Sequence, residues 1–238
     1  MSILQNLPFS LCEFGPEQID GIGNFYLQVL AASPSQLPLL TLYFLDSHGQ
    51  IPSTLNPDYE PIKQSQIHWF IKTSQAQRRE REKDSNDNCS HLSLAFLHIP
   101  LPEFGDPRLD IRNGHRREPT EGPSFNSHLY DALVKEGISA IGCGHDHVND
   151  FCALLPPQMQ QDNDKPLRPG PWLCYGGCSG FGGYCSYDGT QFHRRTRVWE
   201  VDASTGSLTT WKRVEYALDR VDELVLVENG VVVDPSIK

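Results

Sequence analysis

The sequence predicts a mixed α/β or α+β domain, and three observations lead to this fold class. Near-continuous apolar runs are typical of buried strands, and the middle of the chain follows the order strand, loop, helix, strand. Several short strands separated by glycine or Thr-Gly turns come later. The length favours one domain over residues 1–238, and 38% hydrophobic with 21% charged residues is typical of a globular protein.

The first half of the chain alternates strand and loop signals. GNFYLQVL at 23–30 predicts a strand, and PLLTLYFLDS at 38–47 predicts a strand buried on both faces. Residues 56–82 begin with Pro and Asp and then carry apolar side chains at helical spacing, which predicts a surface helix with one packed face. The polar residues 82–90 predict a flexible loop.

The second half contains the predicted strands that precede the candidate site. A buried strand is predicted at 92–99 and is stopped by prolines, which cannot donate to a strand ladder. Residues 124–137 predict a helix with a serine cap and a glycine stop, and 138–144 predict a short strand. A closing meander is predicted from the strands at 171–177, 193–202 and 207–216.

Net charge and hydropathy narrow the classes of partner. The formal charge is −10, which argues against nucleic-acid binding because that function needs a basic face to neutralise phosphates. No stretch approaches the roughly 18 apolar residues of a membrane span. The first residues lack the charged region and long apolar core of a signal peptide. We therefore expect no nucleic acid and no membrane as partner, and a cytoplasmic location by default.

Seven cysteines, an odd number, are scattered along the chain. No pair has the two-residue gap of a zinc knuckle. Cys174, Cys178 and Cys185 cluster, but the glycines between them indicate turns more than metal ligands. We expect reduced, partly buried thiols, as in a cytosolic protein.

Three histidines follow the ends of two predicted strands. His98 closes one strand, and His145 and His147 follow another in the string GHDH. In an extended segment His145 and His147 would point to one side and Asp146 to the other. Neutral imidazole is a common ligand for zinc and iron, although a lone histidine is more often a core or loop residue. The three together predict one wall of a metal site, with Asp146 and Asp150 as candidate hydrogen-bond partners.

Longer strings carry a family resemblance. GHDHVNDFC and LAFLHIPLPEF resemble the calcineurin-like metallophosphoesterases, in the purple-acid-phosphatase-like branch of fungal and plant proteins. LCYGGCSGFGGYCSYDGTQFHRRTRVWEVD is similar to that branch's closing segment, and LPFSLCEFGPEQIDGIGNFYLQV and LTLYFLDSHG are similar to its central strands. The resemblance implies a four-layer αββα sandwich, of which this chain would be the C-terminal portion.

The resemblance also implies a function and a metal centre. Such enzymes hold two divalent metal ions roughly 3.5–4 Å apart, and the hydroxide between them attacks phosphorus. Carried over by position, His98, His145 and His147 resemble metal ligands, with zinc, iron or manganese as candidate ions. The implied activity is hydrolysis of a phosphate monoester, with a phosphoprotein as the favoured substrate.

Three upstream motifs of the family are missing from this sequence. G-D-x-x-D and G-N-H do not occur, and the letters of D-x-H occur only at Asp46 and His48, which we expect to be turn residues at a strand end. Without the carboxylates of those motifs, the catalytic residues cannot be named. Two hypotheses therefore stand: a metal-dependent phosphatase, and a non-catalytic remnant or binding module of the same fold.

Two further stretches carry residues typical of phosphate-binding segments. GGCSGFGG at 176–183 lacks the Gly-Lys-Ser/Thr ending of a P-loop and predicts tight turns. In the strand at 193–202, alternation puts His193, Arg195 and Arg197 on one face. One of these arginines could contact a phosphate, but a solvated edge strand is the favoured interpretation.

Overall fold

The structure is a computed structural model that describes residues 2–52, 55, 57–83, 90–156, 169–182 and 185–234. Most of the predicted polar loop at 82–90, namely residues 84–89, lies outside the described residues. Within the described ranges, no helix is long and apolar enough to cross a membrane.

A mixed seven-stranded sheet forms the centre of the fold. Its strands are β1 (Phe25–Leu30), β2 (Pro38–Phe44), β5 (Leu92–Phe96), β6 (Asp110–Asn113), β7 (Ala140–Cys143), β8 (Cys152–Leu154) and β9 (Trp172–Tyr175). Their order across the sheet is β1-β2-β5-β7-β9-β8-β6. The four neighbours β2, β5, β7 and β9 run parallel, while β1, β8 and β6 pair antiparallel. The carboxyl ends of the four parallel strands therefore meet at one edge.

A second sheet has four antiparallel strands. These are β12 (Arg195–Asp202), β13 (Ser207–Val214), β14 (Val221–Glu228) and β15 (Val231–Val232). Two small hairpins join β3 (Gln50–Ile51) with β4 (Asp58–Tyr59), and β10 (Ser186–Tyr187) with β11 (Thr190–Gln191). The predicted three-strand meander is therefore wrong in one respect: β9 belongs to the large sheet, and β14 follows β13 instead.

The helices are shorter than the sequence pattern predicts. They are α1 (Ser2–Gln5), α2 (Gln64–Lys83) and α3 (Leu129–Lys135), with a 3-10 turn at Pro102–Gly105. The hairpin strand β4 occupies the start of the predicted 56–82 helix. At α3 the predicted serine cap is wrong, because His128 precedes the helix with φ 64° and makes no capping bond through its side chain.

Each face of the large sheet buries a separate apolar core. On one face Tyr43 packs with Phe70 of α2 and Leu133 of α3. On the other, Leu94 and Trp172 pack with side chains of the four-stranded sheet. The result is three layers: helices, large sheet and small sheet. A mixed α/β fold is thus confirmed, and the four-layer sandwich stays a prediction.

Candidate functional site

The parallel strands bring two of the predicted histidines together. His98 lies two residues beyond the end of β5, and His145 lies two residues beyond the end of β7. Since β5 and β7 are parallel neighbours, both side chains reach the same edge of the sheet. The ring centroids are 5.5 Å apart, with the planes at 80°. His147 is close enough for its charge to act on both rings.

The GHDH segment is a turn just beyond the end of β7, so the side-chain alternation of an extended segment does not apply to it. His145 has φ 73°, a left-handed value that is uncommon for a residue with a side chain. The amide of Asp146 donates to the Gly144 carbonyl at 2.9 Å and closes the turn around His145. Backbone strain of this kind is typical of functional sites. Gly144 permits the close approach, because a Cβ there would lie 3.2 Å from Nδ1 of His98.

Asp146 holds this turn against the large sheet. Its carboxylate accepts a short hydrogen bond from the Tyr175 hydroxyl and another, at 3.2 Å, from the Glu121 amide. Burial raises the pKa of Asp146 to about 6, although the bond from Tyr175 opposes the rise. The side chain is buried and points away from solvent. Asp146 therefore acts as an anchor of the loop that carries the two histidines.

The next turn of the loop is anchored by Asn149. Its side-chain oxygen accepts hydrogen bonds from the amides of Arg117, at 2.8 Å, and Glu118, at 3.1 Å. Its amide nitrogen donates to the Glu118 carbonyl at 3.1 Å. Since Asn149 is fully buried, these bonds satisfy it inside the protein. They fix the loop at 145–150 to the segment at 115–121.

Asp150 is the centre of a buried ion cluster. It pairs with Arg117 at 2.7 Å, Arg195 at 2.6 Å and Lys212 at 3.0 Å, and Lys212 also pairs with Asp222. Burial alone would raise the pKa of Asp150, but the charge of Lys212 and the bonds from Arg195 and Arg117 hold it well below its usual range. The cluster ties the histidine loop to the four-stranded sheet.

The predicted solvated edge strand is wrong for two arginines of β12. Arg195 and Arg197 are buried. Arg197 donates to the main-chain carbonyls of Tyr175 at 2.8 Å and Asp150 at 2.7 Å. Both guanidinium groups are therefore engaged inside the protein, in contacts with Asp150 of the histidine loop.

The electrostatics of the site favour neutral imidazoles. Partial burial and the charge of His147 lower the pKa of His98. Burial and the charge of His98 lower the pKa of His145, while the Glu121 carboxylate opposes this effect. Nε2 of His145 is buried without a hydrogen-bond partner among the described residues. In a neutral imidazole, the ring nitrogen that carries no proton can ligate a metal ion.

These residues fit a cation in part. His98 and His145 offer two neutral imidazoles at one place, which suits a divalent ion of the zinc or iron type. Across the described ranges, however, no group of three or more His, Cys, Asp or Glu side chains is arranged to hold a metal. The fit therefore extends to the two imidazoles, and a pair of ions would need carboxylate ligands in addition.

Asp46 and His48 are turn residues, as the sequence indicates. The Asp46 carboxylate accepts from the amides of Ile22 at 2.7 Å and His48 at 2.9 Å. His48 has φ 58°, and its Nε2 lies 2.7 Å from the side-chain oxygen of Gln66. Both line, together with His98, a cavity of about 420 Å³ beside the strand ends.

Four of the cysteines are paired, so the prediction of reduced thiols is wrong for them. Cys152 of β8 is joined to Cys174 of β9, and Cys178 is joined to Cys185. The first disulfide crosslinks two neighbouring strands of the large sheet. The second closes the glycine-rich segment that follows β9.

Sequence reasoning missed two residues near His145, namely Tyr59 and Glu121. The rings of Tyr59 and His145 pack edge-to-face, with centroids 4.8 Å apart. The Tyr59 hydroxyl donates to Glu121 at 3.4 Å. Neither residue stands in a motif: Tyr59 falls at the start of the predicted 56–82 helix and Glu121 in a stretch without periodicity, so no local signal marks them.

Comparison with known proteins agrees with the resemblance seen in the sequence. The chain is 36% identical over 252 residues to "Probable inactive purple acid phosphatase 29" of Arabidopsis thaliana, which spans 97% of this chain and 60% of the relative. It is 33% identical over 221 residues to "Phosphatase DCR2" of Saccharomyces cerevisiae, across 87% of this chain and 35% of the relative. The curated relatives that match most of this chain are therefore purple-acid-phosphatase-like proteins.

Other relatives in the family show the same pattern. "Probable inactive purple acid phosphatase 14" of Arabidopsis thaliana is 32% identical over 237 residues, across 90% of this chain and 55% of the relative. The chain thus spans about 60% or less of the length of these curated relatives. No protein-family model matches it.

Proposed function

We propose that the purple-acid-phosphatase-like chain binds a divalent metal ion at His98 and His145 and acts on a phosphate monoester. The observation that carries this proposal is the proximity of the two imidazole rings, whose centroids are 5.5 Å apart, with Nε2 of His145 buried and unpaired among the described residues. Relatives named as phosphatases support the reaction class.

The chain's own residues would have distinct tasks in this reaction. His98 and His145 would hold the ion, with His147 beside them as the third predicted ligand. Asp146 and Asn149 keep the loop rigid, so that the imidazoles are oriented before an ion binds. A bound zinc, iron or manganese ion would supply Lewis-acid activation of water and stabilise the charge that develops on the phosphoryl group.

A non-catalytic binding module is the second candidate function. Two carboxylates of the histidine loop, Asp146 and Asp150, are engaged in buried contacts that anchor the loop. Several relatives also carry "probable inactive" in their names. Under this alternative the site binds a metal ion, or a metal ion with a phosphorylated ligand, without turnover.

The experiment that separates the two candidates measures metal content and phosphatase activity on the same protein. The purified chain is loaded with zinc, manganese or iron and assayed with an aryl phosphate. A His145→Ala, His147→Ala double variant tests the site, and His68→Ala, at an exposed position of α2, serves as the control. Turnover lost only in the double variant supports the phosphatase. Bound metal without turnover supports the binding module, and absence of both refutes the metal site.

Substrate and compartment are proposals of the same kind. A phosphoprotein stays the favoured substrate on the basis of the family resemblance.

The sequence-based default of a cytoplasmic location conflicts with the two disulfides, because cytosolic reductants keep thiols reduced. We therefore favour an oxidising compartment. Thiol titration of the protein purified under denaturing, alkylating conditions tests this: four protected cysteines are expected, and complete alkylation without reductant would contradict it.

A further inference from the structure

The cavity of about 420 Å³ at the carboxyl ends of β2 and β5 has walls from three separate parts of the chain. Leu11 and Cys12 come from the N-terminal segment, Leu27 comes from β1, and Phe44 ends β2. The rings of Phe25 and Phe44, which both line the cavity, stack with centroids 4.8 Å apart and planes at 17°. The walls are therefore mostly apolar and partly aromatic.

One end of the cavity is polar. Asp46, Ser47 and His48 line this end together with His98. Partial burial and the charge of His147 lower the pKa of His98 and keep its imidazole neutral. A neutral imidazole donates one hydrogen bond and accepts another, so this end of the cavity can bind a polar group in either role.

Buried hydrogen bonds fix the polar end in place. The amide of Ile22 donates to the Asp46 carboxylate at 2.7 Å, and the amide of Asp46 donates to the Asn24 side-chain oxygen at 3.1 Å. The side-chain nitrogen of Gln66 donates to the same Asn24 oxygen at 2.8 Å and to the Asp46 carbonyl at 2.7 Å. Its side-chain oxygen lies 2.7 Å from Nε2 of His48. Since Asn24 and Gln66 are buried, the cavity is preformed, as small-molecule sites usually are.

Volume and charge select the class of ligand. Small-molecule sites enclose about 300–1,000 Å³ and are mostly apolar, with a few oriented polar groups, and this cavity has both properties. The two carboxylate oxygens of Asp46 already accept the amides of Ile22 and His48, so no cation is needed to satisfy them. An anion would be repelled by Asp46 and by the formal charge of −10. An uncharged ligand fits best.

We propose that this cavity binds an uncharged aromatic or apolar small molecule whose polar head group forms a hydrogen bond with His98. The apolar body would lie against Phe25, Leu27 and Phe44. This inference goes beyond the proposed function, because it involves no metal ion. A ligand there would lie beside the histidine pair, since His98 belongs both to the cavity and to the pair with His145.

Binding of prodan to the full chain tests this site. Prodan is an uncharged naphthalene ketone whose fluorescence shifts to the blue in apolar surroundings, and EDTA removes any contribution of metal ions. We expect saturable binding of one prodan per chain. Leu27→Trp fills the cavity and should weaken this binding at least about tenfold, the equivalent of losing roughly 60 Å² of apolar contact at about 25 cal/mol per Å². Val29→Trp, at a 49% exposed position of the same strand outside the cavity lining, is the matched control and should keep the wild-type affinity.

His98→Leu tests the head group. It keeps a side chain of moderate size and removes the hydrogen-bonding nitrogens. We expect prodan affinity to fall about 2- to 10-fold, the contribution of one hydrogen bond. An analogue of prodan without the ketone oxygen should bind wild type and His98→Leu equally. If both ligands lose affinity to the same extent, His98 contributes packing alone and the proposed hydrogen bond is overturned.

Cys12 provides a measurement on the wild-type chain, independent of how any variant folds. It is a free, partly buried thiol that lines the cavity. Prodan at ten times its Kd should slow the alkylation of Cys12 by iodoacetamide about tenfold, because the occupied and the reactive states exclude each other. Mass spectrometry of the Cys12 peptide measures the rate. The same reaction in urea should be insensitive to prodan, which is the control for the reagent.

The outcomes decide the occupant of the cavity. Saturable binding with a specific loss in Leu27→Trp and protection of Cys12 supports the small-molecule site. Equal affinity in Leu27→Trp and Val29→Trp, or prodan binding that leaves Cys12 equally reactive, overturns it. Absence of saturable binding also overturns it, and sedimentation velocity then shows whether a second copy of the chain covers the cavity. If Leu27→Trp is unfolded by circular dichroism, the protection of Cys12 decides.

Discussion

Removing the lysine of the buried ion cluster should destabilise the whole fold. The side chain of Lys212 is 1% exposed and lies 3.0 Å from the Asp150 carboxylate, and it also pairs with Asp222. Lys212→Met keeps most of the apolar stem and deletes the charge. Removing one partner of a buried ion pair costs about 3–5 kcal/mol because the other charge stays buried.

The structure places the expected cost at the low end of that range. Asp150 keeps Arg117 and Arg195 after the substitution, and Asp222 is one-third exposed and can be rehydrated. We therefore expect a loss of about 3 kcal/mol in the free energy of unfolding. For a chain of this size that loss lowers the unfolding temperature by about 6–12 °C.

Urea unfolding of Lys212→Met beside Lys63→Met measures the effect. Lys63 pairs with Glu60 at 2.8 Å, a comparable distance, but the two side chains are 35% and 42% exposed. Exposed pairs contribute about 0–1 kcal/mol, so Lys63→Met should change little. If Lys212→Met costs no more than Lys63→Met, the reasoning that the cluster anchors the histidine loop is refuted.

Three further predictions concern acid, packing and redox state. The pKa of Asp150 is lower in the folded than in the unfolded chain, so its stabilisation is full above the unfolded pKa near 4 and is lost as pH falls; because the raised pKa of Asp146 acts in the opposite direction over the same pH range, the test is the difference in urea-measured stability between the wild type and Asp150→Asn, which should shrink from pH 6 to 3, and a pH-independent difference would contradict it. Gly144→Ala should weaken zinc binding with little change in the free energy of unfolding, because the added Cβ lies 3.2 Å from Nδ1 of the exposed His98 and its ring must shift to make room; unchanged affinity would exclude this contact as important. Reducing the Cys152–Cys174 disulfide, which closes a separation of 22 residues, should cost about 3 kcal/mol in thermal or urea unfolding, and an equal stability with and without reductant would argue against the crosslink.

The strand ends that carry the histidines could be predicted because their signals are local. An apolar run stopped by prolines predicts the strand before His98, and the structure places β5 there. A short apolar run after a helix predicts the strand before GHDH, and β7 lies there. Once two parallel strands are neighbours, the meeting of His98 and His145 follows from the geometry of a sheet.

The remaining features depend on contacts between residues far apart in the sequence. Tyr59 and Glu121 are 62 positions apart, and nothing near either residue indicates the other. Lys212 stands in an alternating strand, where a charged residue normally faces solvent, yet it is buried because Asp150 supplies a partner. The sequence around GHDH indicates only that it follows a strand end, whereas the tertiary contacts of Asp146 that accompany the turn involve Glu121, 25 positions away.

The most direct test of the account is the response of the histidine ring nitrogens to zinc. In ¹⁵N-labelled chain, the account predicts that stoichiometric zinc shifts the ring resonances of His98 and His145 together, in slow exchange, while the exposed His68 is unaffected. A His145→Ala variant should then show no shift at His98. If zinc leaves both rings unchanged, or shifts His98 equally well without His145, the two imidazoles do not form a shared metal site.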